Sequence, residues 1–550
     1  MSYLGGIPPG TLEGWEREER QYISRSLSGL TSSHKLAILL SVGLVTAIEI
    51  SNRFSINVIL SDLQGNVAAD ADQISWVVIL YNLGFLCSLA LATWMTRIVG
   101  ARRHLLSCIA LYSVGAMGCV LSVRSLTLLL VSRLIMGFGG GAFLVRTVIL
   151  AGLMFPGKAR LAAVTRLYVL LYTFLMIYPT AIGWITDQFR WNFAFLLDFP
   201  FLAIGAVMIS KLIPRGDLFR RTEANQVDVR GATLLIASLV CLQTAASRGE
   251  RDLWFESTWI TLALLASVAC FAAFLWWDSR PENPGPVFHL RMISRQAALR
   301  TSFFVILIVG AILGAGLFVV PQYLRTVQDY SATQTGGFVS MYALGLGLGA
   351  VLGLRILVPR LGGPLTTALG LLLLIGTCVS LLYIWTPTTP TAVLAPAILL
   401  QGFSLGPVLI GAANIATANA PLPDLNDIST TYFFVRQLGN TFGVTAATVI
   451  FDHRMTFHSS RLLDVANRLD PITSSTLTQY ADLIHRNAGA GSNPSQGALQ
   501  ILQSNVITQS RLLSDIDIYF GLATLAGLAL ILLGITRVPK MFGPNHFHLF

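Results

Sequence analysis

From residue 34 onward the chain alternates long apolar stretches with short polar breaks. A helix rises about 1.5 Å per residue, so about twenty apolar residues cross a hydrocarbon layer of about 30 Å. Fourteen runs reach that length, at 34 to 60, 74 to 95, 104 to 122, 127 to 154, 160 to 184, 191 to 213, 231 to 247, 257 to 277, 300 to 325, 333 to 356, 364 to 384, 392 to 417, 427 to 450 and 515 to 537. The seventh is short, and the thirteenth carries Arg436. Only a backbone that satisfies its own hydrogen bonds persists in lipid, so this pattern predicts an all-α integral membrane protein with 14 transmembrane helices.

The polar breaks give the orientation. Alternate loops collect Arg97, Arg102 and Arg103; Lys158 and Arg160; Arg215, Arg220, Arg221 and Arg230; Arg280, Arg291 and Arg295; and Arg360. The opposite loops hold Arg124, Arg190, Arg248 and Arg251 beside Asp62, Asp70, Asp72, Asp187, Glu250 and Asp252. Positive charge stays on the cytoplasmic side, which predicts a multi-pass protein of the inner (cytoplasmic) membrane with both termini cytoplasmic. Residues 1–33 lack the apolar core and small-residue cleavage site of a secretory signal and read as a cytoplasmic tail, with an amphipathic helix from Thr11 to Leu30. Residues 541–550 form the second tail. The one long connection, 451–514, falls on the outer (periplasmic) side. Periodic leucines from Ser459 to Arg486, a Gly/Ser/Asn-rich break at 487 to 497 and a second stretch ending near Leu513 predict a helical hairpin there. It is either an inert connector or a docking element for an extracytoplasmic partner.

Composition agrees with a lipid solvent: 54% of residues are hydrophobic and 12% charged, and the mean hydropathy is +0.67. Six scattered cysteines form no CxxC or Cys/His cluster, so neither a disulfide framework nor a metal site is indicated. The formal charge of +10 sits in short loops without a continuous stripe, which suits lipid headgroups rather than nucleic acid.

Several segments, in order, resemble the major facilitator superfamily, and within it the fourteen-spanner drug:proton antiporters of the EmrB/QacA type. The loop Thr96-Arg97-Ile-Val-Gly100-Ala-Arg102-Arg103 resembles the superfamily's Gly-rich basic loop. Arg133-Leu-Ile-Met-Gly137 in the fourth run is similar to the family's Arg-x-x-x-Gly motif. Tyr178-Pro179-Thr-Ala-Ile-Gly183 in the fifth resembles the antiporter Gly-Pro-x-x-Gly-Gly motif, in which Pro kinks the helix and Gly permits close packing. The segment Pro321 to Gly336, Asn283-Pro284 and Arg436-Gln437-Leu-Gly439-Asn440 complete the likeness. It implies a major facilitator fold, with a six-helix bundle at 34–213, a linker at 214–299 bearing two inserted helices, and a second six-helix bundle at 300–540. It implies alternating access about a midplane site, driven by a proton gradient with no cofactor. No GxxxxGK[ST] phosphate loop occurs in the chain. In EmrB-like relatives the outer loop would meet a periplasmic adaptor and an outer-membrane channel.

The departures are informative. Arg97 stands at the family's usual Asp, and Tyr178 and Ile182 replace motif glycines, which leaves close packing of the fifth helix open. The acid expected in the first helix aligns with Asn52, while Asn57-Val58 keep the pattern.

An ionisable side chain at a helix centre costs about 2.5 to 3.5 kcal/mol, so each needs a partner, a wet cavity or a task. Glu49 and Arg53 lie four residues apart on one face of the first helix. Glu49 is the candidate proton carrier, with Arg53 released on protonation and recaptured on deprotonation; a permanent structural ion pair is the alternative. Asp198 is a second protonation candidate or an ordinary N-terminal helix acid. Arg133 serves the motif, Arg146 is either a cavity charge or a snorkelling residue, and Arg436, Gln437 and Asn440 face the cavity with Asn52 and Asn57. Tyr168, Tyr172, Phe174, Tyr178, Phe433 and Phe434 are candidate apolar walls or plain packing.

Within the predicted spans Arg53, Arg133, Arg146 and Arg436 are set against Glu49 and Asp198. That balance favours a neutral or anionic amphiphile over a lipophilic cation. The chain lacks HExxH and its histidines lack metal-ligand spacing, which argues against an enzyme. A receptor or scaffold would not need interior arginines or the glycines at 345, 347, 349 and 353. Broad drug efflux and dedicated export of one metabolite, such as a siderophore, stay open.

Overall fold

Each of the fourteen apolar runs falls on helix in the computed structural model, which describes residues 29–67, 69–155, 158–214, 228–249, 252, 254–280, 283, 287–288, 297–417, 425–466, 471–487 and 493–535. The first bundle comprises α1 (Ser32–Ser55), the short α2 (Leu60–Val67), α3 (Ala71–Val99), α4 (Ala101–Leu121), α5 (Leu126–Gly140), α6 (Phe143–Met154), α7 (Lys158–Gln188) and α8 (Asp198–Leu212). The inserted pair is α9 (Val229–Arg248) and α10 (Thr258–Asp278). The second bundle holds α11 (Ala297–Thr326), α12 (Ala332–Leu352), α13 (Val358–Ile384), α14 (Thr391–Thr417), α15 (Leu425–Val465), α16 (Pro471–Asn487) and α17 (Pro494–Ile535).

Among the described residues twelve segments are long and apolar enough to cross a membrane. One of them, Ala332–Ile384, contains both the tenth and eleventh runs. Helix α15 carries the thirteenth and is too polar to join the twelve. The amphipathic stretch predicted at 11 to 30 lies almost wholly outside the described residues, as do the C-terminal tail, Pro284 and the side chain of Arg97.

Three predicted elements differ. The fourth run is two helices, α5 and α6, parted at Gly141-Ala142. Here the backbone of α3 passes so close that a Cβ on Gly141 would lie 2.4 Å from the Phe85 carbonyl oxygen. The tenth and eleventh runs are joined by a π turn at Gly353–Leu357, and the break falls at Gly362, whose φ of 78° suits glycine. The connection at 451–514 holds the predicted hairpin, α16 packed against α17 with Asn505 Nδ2 donating to the Tyr480 hydroxyl at 3.2 Å, but it is not separate from the membrane helices: α15 and α17, 41 and 42 residues long, run on into it. Prolines 471 and 494 explain the restarts, since Pro fits a first helical turn and not an interior. Asp517 ties the two long helices, accepting from Arg454 Nε at 2.5 Å and pairing with His458 Nε2 at 2.7 Å.

The two bundles meet along two seams, α7 against α12 and α3 against α15. The inserted pair packs beside the seam between the bundles, with α9 against α3 of the first and Gln243 Nε2 donating to Thr445 Oγ1 of α15 in the second at 3.3 Å. Asp228 anchors its start, accepting from the Gly231 amide, Trp277 Nε1 and Asn283 Nδ2, each at 2.7 Å. Between α3 and α4, Gly100 turns at a φ of 91°, and Thr96 Oγ1 meets His104 Nδ1 at 2.9 Å across the turn. Within the second bundle α12 and α14 touch backbone to backbone: a Cβ on Gly402 would lie 2.0 Å from the Tyr342 carbonyl oxygen. Overpacking of a filled interior costs about 1–3 kcal/mol. Gly402→Val is therefore expected to lower the melting temperature in detergent, with the change seen in a thermal unfolding scan.

Candidate functional site

Between the bundles lies a cavity of about 100 Å³. Its walls include Tyr168 and Tyr172 from α7, Phe433 from α15 and Leu313 from α11. Its charged lining is Arg53, Arg133 and Arg436; among the described residues no Asp or Glu faces it. Ligand pockets for drug-sized molecules run to roughly 300–1,000 Å³, so this conformation is contracted around the site.

The first network crosses the seam. Glu49 is fully buried; its Oε1 lies 3.1 Å from Arg53 Nε and accepts from the Tyr81 hydroxyl at 2.9 Å. Its Oε2 has no hydrogen-bond partner among the described residues. Arg53 covers the Phe85 ring, 4.4 Å from its centroid, and donates to Gln437 Oε1 of the opposite bundle. Gln437 Nε2 in turn donates to Asn82 Oδ1 at 3.1 Å. One guanidinium is thus shared between a carboxylate of one bundle and an amide of the other.

The second network lies inside the first bundle. Asp198, fully buried at the start of α8, accepts from the Tyr178 hydroxyl and from Asn52 Nδ2 at 3.0 Å. Asn52 Oδ1 accepts from Arg133 at 3.2 Å, and Arg133 also donates to the Val77 carbonyl at 3.2 Å and covers the Tyr81 ring. Tyr178, which occupies a motif glycine position, turns its hydroxyl inward to Asp198. Close packing of α7 survives through Gly183 and Gly336, where added Cβ atoms would meet the Ala332 and Pro179 carbonyl oxygens at 2.2 and 2.3 Å.

Of the residues expected to hold substrate, Asn57, Tyr172, Arg436, Gln437 and Asn440 line the cavity. Asn52 and Tyr178 do not; they serve the Asp198 network. Arg146 is also elsewhere: it is buried and its long side chain reaches the Ala92 carbonyl of α3, to which it donates. Arg436 stands over the Phe433 ring at 5.0 Å and forms no ion pair among the described residues. Of the motif residues, Gly137 packs against α3, where a Cβ would lie 2.1 Å from the Tyr81 carbonyl oxygen, Pro179 sits inside α7, and Arg102 is half-buried at the start of α4.

Sequence reasoning missed Tyr81 and Asn82, a polar pair inside an otherwise apolar second run, and Asp515, a third fully buried carboxylate at the edge of the last run. It also missed the closure at the predicted outer face. There Arg325 NH2 donates to both oxygens of Asp62 at 2.8 Å, and Asp187 accepts from the Ala332 amide at 3.2 Å and from the Thr333 amide at 2.8 Å. Partial burial pushes the Asp62 carboxyl above the usual aspartate range, and Arg325 opposes that push. Asn57 Nδ2 adds a bond to the Leu317 carbonyl at 3.0 Å. At the opposite end Arg355 Nε reaches Thr165 Oγ1 at 3.2 Å.

Two helical bundles closing on a largely apolar cavity with arginines in its wall define a membrane transporter rather than an enzyme. Residues 42–444 match the Major Facilitator Superfamily, and the chain belongs to that family. It is 23% identical over 520 residues to the multidrug export protein EmrB of Haemophilus influenzae, covering 93% of this chain and 97% of that protein. Against EmrB of Escherichia coli the identity is 22%, with 93% and 96% covered. The fold is similar to that of a peptide transporter, POT, with a TM-score of 0.61 at 15% identity over 96% of this chain and 99% of that one. A bacterial homologue of the human lysosomal transporter Spinster gives 0.58 at 13% identity, covering 94% and 100%.

Proposed function

We propose that this protein is a proton-driven exporter of amphiphilic compounds that are neutral or anionic, of the multidrug efflux type. The observation that carries this reading is Arg53, held by Glu49 in one bundle and by Gln437 in the other, in a cavity whose charged lining is wholly arginine. A proton on Glu49 removes the negative charge that holds Arg53 to α1, and loss of the proton draws the guanidinium back. Arg53 thereby changes its holders with each proton bound and released. The names of the EmrB relatives support multidrug export.

The test uses the full chain in liposomes under an imposed pH gradient, with anilinonaphthalene sulfonate as the anionic probe and tetraphenylphosphonium as the cationic one. Accumulation of the sulfonate alone is expected; accumulation of the cation alone would overturn the substrate class. Arg436→Gln removes a charge-assisted contact worth about 1.5–3 kcal/mol. It should raise the apparent KM for the sulfonate by about 10- to 100-fold, at about 1.4 kcal/mol per factor of ten. An unchanged KM would take Arg436 out of the substrate site. Metabolite profiling of a deletion strain beside growth on toxic compounds separates broad efflux from export of a single metabolite.

A further inference from the structure

Helix α17 carries a carboxylate that neither network uses. Asp515 is fully buried, and neither of its side-chain oxygens has a hydrogen-bond partner among the described residues. The helix packs there against α11, α13 and α15. Arg511 precedes Asp515 by one turn, but among the described residues no ion pair forms between them. Asp517, two residues on, points away into Arg454 and His458 of α15. The other titratable groups facing this region are Cys378 of α13 and Tyr342 of α12, both buried. An ionised carboxylate so placed is far less favourable than its protonated, neutral form.

A polar thread that begins one turn from Asp515 leads toward the cavity. Tyr519, one turn along and equally buried, donates its hydroxyl to Gln401 Oε1 of α14 at 3.0 Å. Gln401 Nε2 and the Tyr342 hydroxyl then converge on Gly316 of α11, where a Cβ would meet them at 3.6 and 3.8 Å. Gly314 and Leu317, on either side of Gly316, line the cavity. Trp385 packs on the thread: its ring meets Tyr519 edge-on at 4.6 Å and stacks on Tyr323 at 3.9 Å.

We propose that Asp515 is a second proton-binding site, in the bundle opposite Glu49, that holds its proton in this closed conformation and exchanges it with the central cavity along Tyr519, Gln401 and Tyr342. The proton adds to one carboxylate oxygen and leaves from it, with no other bond made or broken. The exchange role rests on the proton-driven reading given above; protonation of Asp515 does not.

Two readouts on the full chain in liposomes test the inference. Infrared difference spectra across a pH titration should show a carboxylic-acid carbonyl band in the wild type that is missing from Asp515→Asn. Identical spectra would overturn the proposal. Under an imposed pH gradient, Asp515→Asn should accumulate anilinonaphthalene sulfonate at least several-fold less than the wild type, while gradient-free exchange persists. Equal accumulation would remove Asp515 from coupling. If Asp515→Asn fails to fold, Tyr519→Phe keeps the carboxyl and cuts the thread, so it should retain the band and lose accumulation; a loss of neither would overturn the pathway. A wild type that shows the band but ignores the pH gradient would instead sink the proton-driven reading and leave Asp515 protonated.

Discussion

Glu49→Gln is expected to abolish gradient-driven accumulation, by tenfold or more, while leaving downhill exchange of the same probe in place. Glutamine has nearly the same shape and can still accept from the Tyr81 hydroxyl, so the local packing of α1, α3 and α5 is retained. What goes is the charge that holds Arg53. With no carboxylate beside it, the guanidinium keeps Gln437 and the Phe85 ring but no longer alternates between two holders. The cavity is left permanently more positive. The variant should therefore bind the anionic sulfonate at least as tightly as the wild type and lose the pH dependence of that binding. Transport assays with and without a gradient, beside fluorescence titrations of the probe at several pH values, separate these effects. Normal accumulation by the variant would make the Glu49–Arg53 pair a structural one.

Gly183→Val should disable transport by a different route, with both polar networks intact. At Gly183 the backbones of α7 and α12 are in direct contact, and a Cβ would lie 2.2 Å from the Ala332 carbonyl oxygen and 2.9 Å from the Thr333 Cα. Neither neighbour is the end of a flexible side chain, so the helices themselves must separate. The hydrogen bonds that Asp187 accepts from the Ala332 and Thr333 amides should break first, followed by the Asp62–Arg325 pair along the same face. The expected result is a protein that stays folded but cannot complete closure at the predicted outer face. Hydrogen exchange should quicken at the end of α7 and the first turn of α12, with transport at least tenfold down. Unchanged exchange there would show that the seam tolerates separation and that the closure lies elsewhere.

Much of the architecture was legible in the residues because the deciding quantities are local. Apolar length marks a membrane helix wherever it sits, and all fourteen runs are helical. The Glu49–Arg53 pair followed from a spacing of four, since residues one turn apart share a face whatever the helix packs against. The excess of arginine among the intramembrane charges likewise carried through to the cavity lining. By contrast, Asp515 falls at the boundary of a run, and composition cannot distinguish an acid at the membrane surface from one fully buried between helices. Arg146 shows the same limit: nothing in its neighbours reveals that the helix breaks at Gly141 or that the side chain reaches Ala92.

The amino-acid sequence determined that this protein spans a membrane many times and which charges had to be accommodated in lipid. Tertiary structure alone decided the partners those charges take on other helices. Arg53 and Gln437 are 384 residues apart, and Asn52 and Asp198 are 146 apart. The reason is geometric: the pattern within a helix specifies which residues share a face, but the rotation that aims that face is set by backbone contact with neighbours distant in the chain, at places such as Gly183 and Gly336.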